Sequence, residues 1–215
     1  MENIILRSGN VIKMKIIDLF SGLGGASEAF VRDYDNHDII RVDNNILLKN
    51  VPHTQIHDLV SDSWTNGINI FWYNPDLIWA SPPCDHFSLG YNAPGPKAAR
   101  EGVKFEPDMR PLRAALKIIK ILKPRYWVIE NVRGASKIFS KEMGVNAPRQ
   151  IIDGTYFLWG NFPYLQDIAV NRTKKAELWE INNPLRKNIR GKIPIEISKA
   201  LLKAMKEQTT LEEWI

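Results

Sequence analysis

A strand-like run from Lys15 to Phe20 meets the turn Ser21-Gly22-Leu23-Gly24-Gly25. A helical stretch from Ala26 to Tyr34 follows, with Ala26, Ala29 and Phe30 on one face. Strand, glycine-rich turn and helix form the opening unit of a nucleotide-binding α/β domain. More apolar runs follow, each ending in a polar residue. Residues 38–42 lead to Asp43, residues 54–57 to Asp58, residues 76–80 to Ser81-Pro82-Pro83-Cys84-Asp85, and residues 126–129 to Glu130. Residues 155–159 read as a further strand, while residues 64–74 carry no clear pattern. Leu112, Ala115, Leu116, Ile119 and Leu122 form one stripe of a helix over 110–122, stopped by Pro124. Pro194 opens a last helix with Ile197, Leu201 and Met205 on one face. Strands alternating with helices predict a Rossmann-like α/β fold, a mostly parallel sheet with helices on both faces. No repeat or linker divides it, so residues 14–215 read as a single domain. Residues 1–13 read as a leader, with Met14 as an alternative start.

The 215 residues are 44% hydrophobic and 25% charged, values that exclude disordered and collagen-like classes. No run reaches the roughly 20 apolar residues of a membrane span, and the first residues lack a signal-peptide core, so a cytoplasmic location is expected. A net charge of +5 permits a polyanionic partner without demanding one. The single cysteine, Cys84, excludes an intrachain disulfide and a cysteine-only metal site. The four histidines form no ligand spacing with it, so no metal is expected.

Ligands of open α/β sheets bind at the carboxyl ends of strands. Four notable clusters stand at such ends: the glycine-rich turn, Asp43, Pro82-Pro83-Cys84 and Glu130. The turn lets a backbone approach a ligand closely, or it serves tight packing alone. Asp43 suits ribose hydroxyls or a capping role, and Asp58 an adenine amino group or solvent. Two prolines stop the strand before Cys84 and turn its thiol toward the rim, against the alternative of an inert buried thiol. Glu130 ends an apolar strand, where a carboxyl is costly unless used or paired. Burial would raise its pKa and let it share a proton with a ring nitrogen; the alternative is a helix cap.

Together these residues resemble the DNA cytosine-5 methyltransferase family. Asp18 to Gly25 looks like its cofactor motif, Ser81 to Cys84 with Phe87 and Ser88 like its catalytic motif, Asp108 to Arg110 with Leu112 like the motif opening the next helix, and Glu130-Asn131-Val132 like its Glu-Asn-Val motif. The resemblance covers about residues 15–135. It resembles short forms carried by phages and mobile elements, some with a restriction partner. It implies S-adenosylmethionine as cofactor, held by Phe20, Ser21, Gly22, Leu23, Gly24, Gly25, Asp43, Asp58 and Pro82. It also implies Cys84 as nucleophile, Glu130 at the cytosine ring, and Ser88, Asn131 and Arg149 as substrate-binding residues. The resemblance further implies duplex DNA as substrate, with a flipped base. A long mobile loop over about 85–106, with Lys97, Arg100 and Lys104, would then close over it and touch phosphates, the alternative being an ordinary solvated loop.

Three departures accompany the resemblance. Asp85 replaces the usual glutamine after the cysteine, adding an anion that raises the thiol pKa. The Gln-x-Arg-x-Arg motif is missing, leaving Arg149 as the nearby arginine. The segment over about 163–190, with Arg172, Lys174, Lys175, Arg186 and Lys187, is too short for a recognition domain. Gly191 to Pro194 only loosely resembles the last motif. Short or relaxed specificity follows, or a partner subunit that reads sequence. An RNA (tRNA-type) substrate and a non-catalytic binding subunit stay open as alternatives. An adenine amino-methyltransferase is disfavoured because Ser81 and Cys84 flank the two prolines.

Overall fold

The computed structural model describes residues 12–61, 74–171 and 182–212, with side chains to Gln208. The expected leader lies almost wholly outside the described residues. So do most of residues 64–74, and Arg172, Lys174 and Lys175.

Seven strands form one sheet in the order β3-β2-β1-β4-β5-β7-β6. They are β1 (Lys15–Leu19), β2 (Asp38–Asp43), β3 (Thr54–Ile56), β4 (Leu77–Ala80), β5 (Tyr126–Asn131), β6 (Gln150–Ile152) and β7 (Tyr156–Asn161). The first five pair in parallel, and β7 runs antiparallel to both β5 and β6. The expected parallel-dominated α/β sheet is therefore present.

Alternation along each strand supplies two cores, as a sheet covered on both faces requires. Ile17, Leu19, Ile78, Ala80 and Ile129 face one layer, where helix α3 (Arg110–Leu122) contributes Leu112, Ala115, Ile118 and Leu122. Phe139 of α4 (Ser136–Glu142) joins them. Ile16, Leu77, Trp79 and Val128 face the other, against Phe30 of α1 (Glu28–Val31) and Ile197, Leu201 and Met205 of the last helix, α6 (Ile195–Glu212). The stripe read from sequence on α3 packs as expected, with Leu116 at its edge.

Two expectations change, and one strand was not foreseen. The helix over Ala26–Tyr34 is only Glu28–Val31, and at its start the buried Ser198 hydroxyl accepts from the Ala29 amide and donates to the Ala26 carbonyl. It thus engages backbone groups where the helix begins. The segment after Asp85 is not one long loop. It holds a 3-10 turn (Asp85–Phe87) and a two-turn helix, α2 (Pro94–Glu101), with proline in its first turn and Gly102 at its left-handed end. That helix buries no residue, so no apolar stripe announces it. Finally, β6 is a strand that three residues were too few to signal. The turn behind it, Asp153-Gly154 with φ of 51° and 61°, is a recognisable hairpin signal.

Candidate active site

Register and strand order place the candidate residues along one rim. Reading across β3, β2, β1, β4 and β5, the strands run into Asp58, Asp43, the glycine-rich turn, the Ser81–Cys84 turn and Glu130-Asn131. Neighbouring strands lie about 4.8 Å apart, so the rim has two adjoining halves that meet between β1 and β4.

In the first half, the turn is fixed by its neighbours. The Gly22 amide donates to Asp43 Oδ2 at 2.9 Å, Asp43 Oδ1 accepts from the Asn45 amide at 2.9 Å, and the Ser21 amide donates to the Val42 carbonyl at 3.1 Å. Two of the glycines are required by close protein contacts. A Cβ on Gly24 would overlap the Arg41 guanidinium at 2.2 Å, and one on Gly25 would meet the Ile193 carbonyl oxygen at 2.3 Å. Arg41, on β2, is buried and missing from the sequence reading. It donates to the Gly24 and Pro52 carbonyls and to the Ser27 hydroxyl, which in turn donates to Asp18 Oδ2 at 2.6 Å. Burial pushes the Asp18 carboxyl up to about 7, against the pull of Ser27 and Arg41.

Two buried oxygens here, Ser21 Oγ and Asp18 Oδ1, have no hydrogen-bond partner among the described residues. Unpaired buried acceptors are costly, and Ser21 Oγ lies in the turn itself. Together with the remaining lone pairs of Asp43, this donor and acceptor set fits a polar ligand such as a nucleoside carrying an amino acid. Phe20 takes a left-handed φ of 55° to enter the turn. Leu23 is buried. Asp58 is exposed, and its carboxylate accepts from the Val60 amide at 2.9 Å.

In the second half, Pro82 is buried, Pro83 exposed, and Cys84 half-buried at the start of the 3-10 turn. Burial first, then Glu130 and Asp85, push the Cys84 thiol up, while Arg190 pulls it down. Glu130 is buried, and that burial pushes its carboxyl up to about 7, partly offset by a hydrogen bond from Ser81. Ser81 stands one residue beyond the Ala80–Ile129 pair, level with Glu130. Its hydroxyl accepts from Trp79 Nε1 at 2.8 Å, which leaves its proton for the carboxylate. The expected rise in the Glu130 pKa is present, and Trp79 and Ser81 are the residues that orient it.

The cysteine turn is bound to the end of β5. Asn131 Nδ2 donates to the Pro82 carbonyl at 2.9 Å, and Asn131 Oδ1 accepts from the Val132 amide. Asn131 is buried, and its two polar ends hold the turn in place. Phe87 packs edge-on against Phe139 at 4.9 Å, and its carbonyl would lie 1.9 Å from a Cβ on Gly134. The Ser88 hydroxyl accepts from the Gly90 amide at 3.3 Å. His86 Nδ1 accepts from the Asp108 amide at 2.9 Å, tying the turn to the start of α3.

Other expected residues lie apart. Arg149 is two strands from Glu130, its guanidinium 5.4 Å from the centre of the Phe162 ring, beyond the end of β7 that pairs with Trp127. Arg100 stacks over Tyr91 at 3.7 Å, Lys97 lies 3.9 Å from Glu101, and Lys104 pairs with Glu106 at 2.6 Å. These contacts are exposed and weak, so they leave the cations available to phosphate. Arg186 and Lys187 belong to a one-and-a-half-turn helix, α5 (Arg186–Gly191), where the Lys187 ammonium lies 2.9 Å from Asp85. Asp33, Asp35 and His37 bring ligand atoms within 4.8 Å of one another, yet the Lys206 ammonium sits 2.6 Å from both carboxylates. No described helix is long and apolar enough to cross a membrane.

The family model described as C-5 cytosine-specific DNA methylase matches residues 14–147. A protein of Frog virus 3 (isolate Goorha), named a probable DNA (cytosine-5)-methyltransferase, is 28% identical over 155 residues, 68% of this chain and 66% of the relative. Among solved structures, a candidate DNA modification methyltransferase encoded within an E. coli prophage is 21% identical, with a TM-score of 0.43 over 61% of this chain and 36% of that one. The Entamoeba histolytica methyltransferase EhMeth is 17% identical, with a TM-score of 0.43 over 77% of this chain and 58% of that one. The chain thus spans just under two thirds of the viral relative's length and less of the other two.

Proposed function

Since the chain belongs to the C-5 cytosine-specific DNA methylase family, we propose that it methylates C5 of cytosine in DNA, with Cys84 as nucleophile and Glu130 as proton-holding partner. The observation that carries the reading is the joining of these two residues. The Asn131–Pro82 hydrogen bond fixes the cysteine turn to the strand end whose carboxyl is protonated near neutrality.

The residue chemistry follows. Cytosine C5 is a weak nucleophile. Addition of the Cys84 thiolate at C6 gives an enamine whose C5 accepts a methyl group, dividing one difficult step into two. Glu130 holds or donates a proton at N3 as negative charge develops there, and Ser81 keeps it oriented. Loss of the C5 proton to solvent then breaks the C6–S bond and restores the thiolate. The ring must leave the duplex stack to meet Cys84. S-adenosylmethionine supplies an electrophilic methyl on a sulfonium. Phe20 to Gly25, Asp43, Asp58 and Pro82 are the residues proposed to hold it, with the unpaired Ser21 hydroxyl and the Asp43 carboxylate supporting the fit. Ser88 and the exposed cations Lys97, Arg100 and Lys104 are proposed to face the nucleic acid. The described part of the 163–190 segment leaves room for short specificity, or for a partner that reads sequence.

The test is transfer of a labelled methyl group to duplex DNA, single-stranded DNA or tRNA, with the product nucleoside identified by mass. Labelled 5-methylcytosine from DNA, lost in Cys84→Ala with cofactor binding retained, is the expected result. Label at N4 of cytosine or N6 of adenine overturns the thiol mechanism, and label in the tRNA pool alone overturns the DNA substrate.

A further inference from the structure

Helix α5 lies across the junction of the two half-sites. Asn188 Oδ1 accepts from Asn45 Nδ2 at 3.3 Å, beside Asp43, and Asn188 Nδ2 would lie 3.5 Å from a Cβ on Gly22. One residue earlier, Lys187 reaches the other way to Asp85, its ammonium 2.9 Å from the carboxylate directly after Cys84. Lys187 and Arg190 are three residues apart, so they share a face of the helix. The face that Lys187 turns to the cysteine turn therefore carries Arg190 as well.

Carboxyl groups crowd this thiol. Glu130 approaches from β5 and Asp85 from the cysteine's own turn, and Arg190 from α5 opposes them. A nucleophilic thiol in such a place needs a counter-charge, since only the thiolate attacks.

We propose that α5 is the counter-charge element of this site: Lys187 neutralises Asp85 and, through that ion pair, holds Arg190 where its guanidinium stabilises the Cys84 thiolate. Both are positioning residues that act through Cys84. The thiol proton leaves to water, and Arg190 remains charged throughout. The pairing also gives Asp85 a task, as the anchor that brings α5 to the cysteine. The inference rests on Cys84 being the nucleophile.

Cys84 is the only cysteine in the chain, so alkylation by iodoacetamide reports on it alone. The rate is measured against pH in the full-length protein and in Arg190→Gln, Arg190→Lys, Lys187→Gln and the double variant. Lys203→Gln on α6 serves as a control of equal charge change. Arg190→Gln should move the midpoint up by about half a unit to one unit, making alkylation near neutral pH about threefold to tenfold slower. Arg190→Lys should restore most of the rate. Lys187→Gln should move the midpoint the same way, and the double variant by less than the sum. The shift should shrink in high salt, because Arg190 is exposed. Thermal melts confirm that each variant is folded.

An unmoved midpoint in folded Arg190→Gln, or an additive double variant, overturns the inference whatever the transfer assay gives. A moved midpoint together with methyl transfer that survives Cys84→Ala supports the counter-charge element and overturns only the proposed nucleophile.

Discussion

Asn131 donates from its side-chain amide to the Pro82 carbonyl across 2.9 Å, binding the end of one strand to the turn after its neighbour. Together with the β4–β5 pairing, this contact ties the turn of Cys84 to the strand end of Glu130. Asn131→Leu leaves that carbonyl and the Val132 amide without partners in a buried place. The expected cost is about 2–3 kcal/mol, with a loss of transfer rate larger than the loss of folded protein. Asn131→Asp, which keeps the acceptor for Val132, should fall between. Denaturant melts run beside methyl-transfer rates check both.

Glu130 and Asp18 set a pH dependence of stability. Their folded carboxyls titrate near 7, raised from 4.5 and 3.8. Between those values the folded chain binds more protons than the unfolded chain, so stability falls as pH rises through the window. The Glu130 share is on the order of 3 kcal/mol. Glu130→Gln, neutral at every pH, should therefore be more stable than the parent at pH 8 and equal to it at pH 4, while transferring methyl groups far more slowly. Urea melts at the two pH values test the sign; equal gain at both would mean that the carboxyl is not buried in its protonated form.

Gly134 is the space into which the Phe87 carbonyl fits. Gly134→Ala forces backbone apart by more than an ångström at the foot of the cysteine turn, so transfer should drop by about two orders of magnitude with only modest loss of stability. Gly144→Ala, where nothing lies within 4 Å but φ is +68°, should cost about 1 kcal/mol and leave transfer intact. Parallel rates and melts of the two variants make the comparison.

Arg41 holds the glycine-rich turn from the adjoining strand. Arg41→Met removes the donors to Gly24, Pro52 and Ser27 and leaves Asp18 without its compensating cation. We expect a loss of about 3 kcal/mol in stability and a Kd for S-adenosylmethionine at least about tenfold weaker. Calorimetric titration of the folded variant measures the second effect; an unchanged Kd would show that the turn keeps its shape without Arg41.

Much of the architecture was legible because it is local. The run Lys15–Leu19, the stripe on α3 and the apolar strands each carry their period in consecutive residues, and each folds as read. The family resemblance was legible for the same reason: Asp18 to Gly25 and Ser81 to Cys84 are contiguous. Elements that failed to announce themselves lack that property. α2 buries nothing, β6 has three residues, and the start of α1 is held by Ser198 from a helix more than 160 residues away. Arg149, the arginine nearest in sequence to the missing motif, stacks on Phe162 instead.

The sequence alone determined which residue types stand at each strand end, and so the candidate chemistry of a thiol, a carboxyl and a glycine-rich turn. Tertiary structure decided how those groups are held and charged. Arg41 and Lys187 have no motif of their own, and their tasks, like those of Ser81 and Asn131 within their motifs, depend on partners brought together in the fold. Periodicity and turn chemistry act over a few residues, whereas a hydrogen bond or an electric field acts over a few ångströms of space. Only the folded sheet turns the one kind of neighbour into the other.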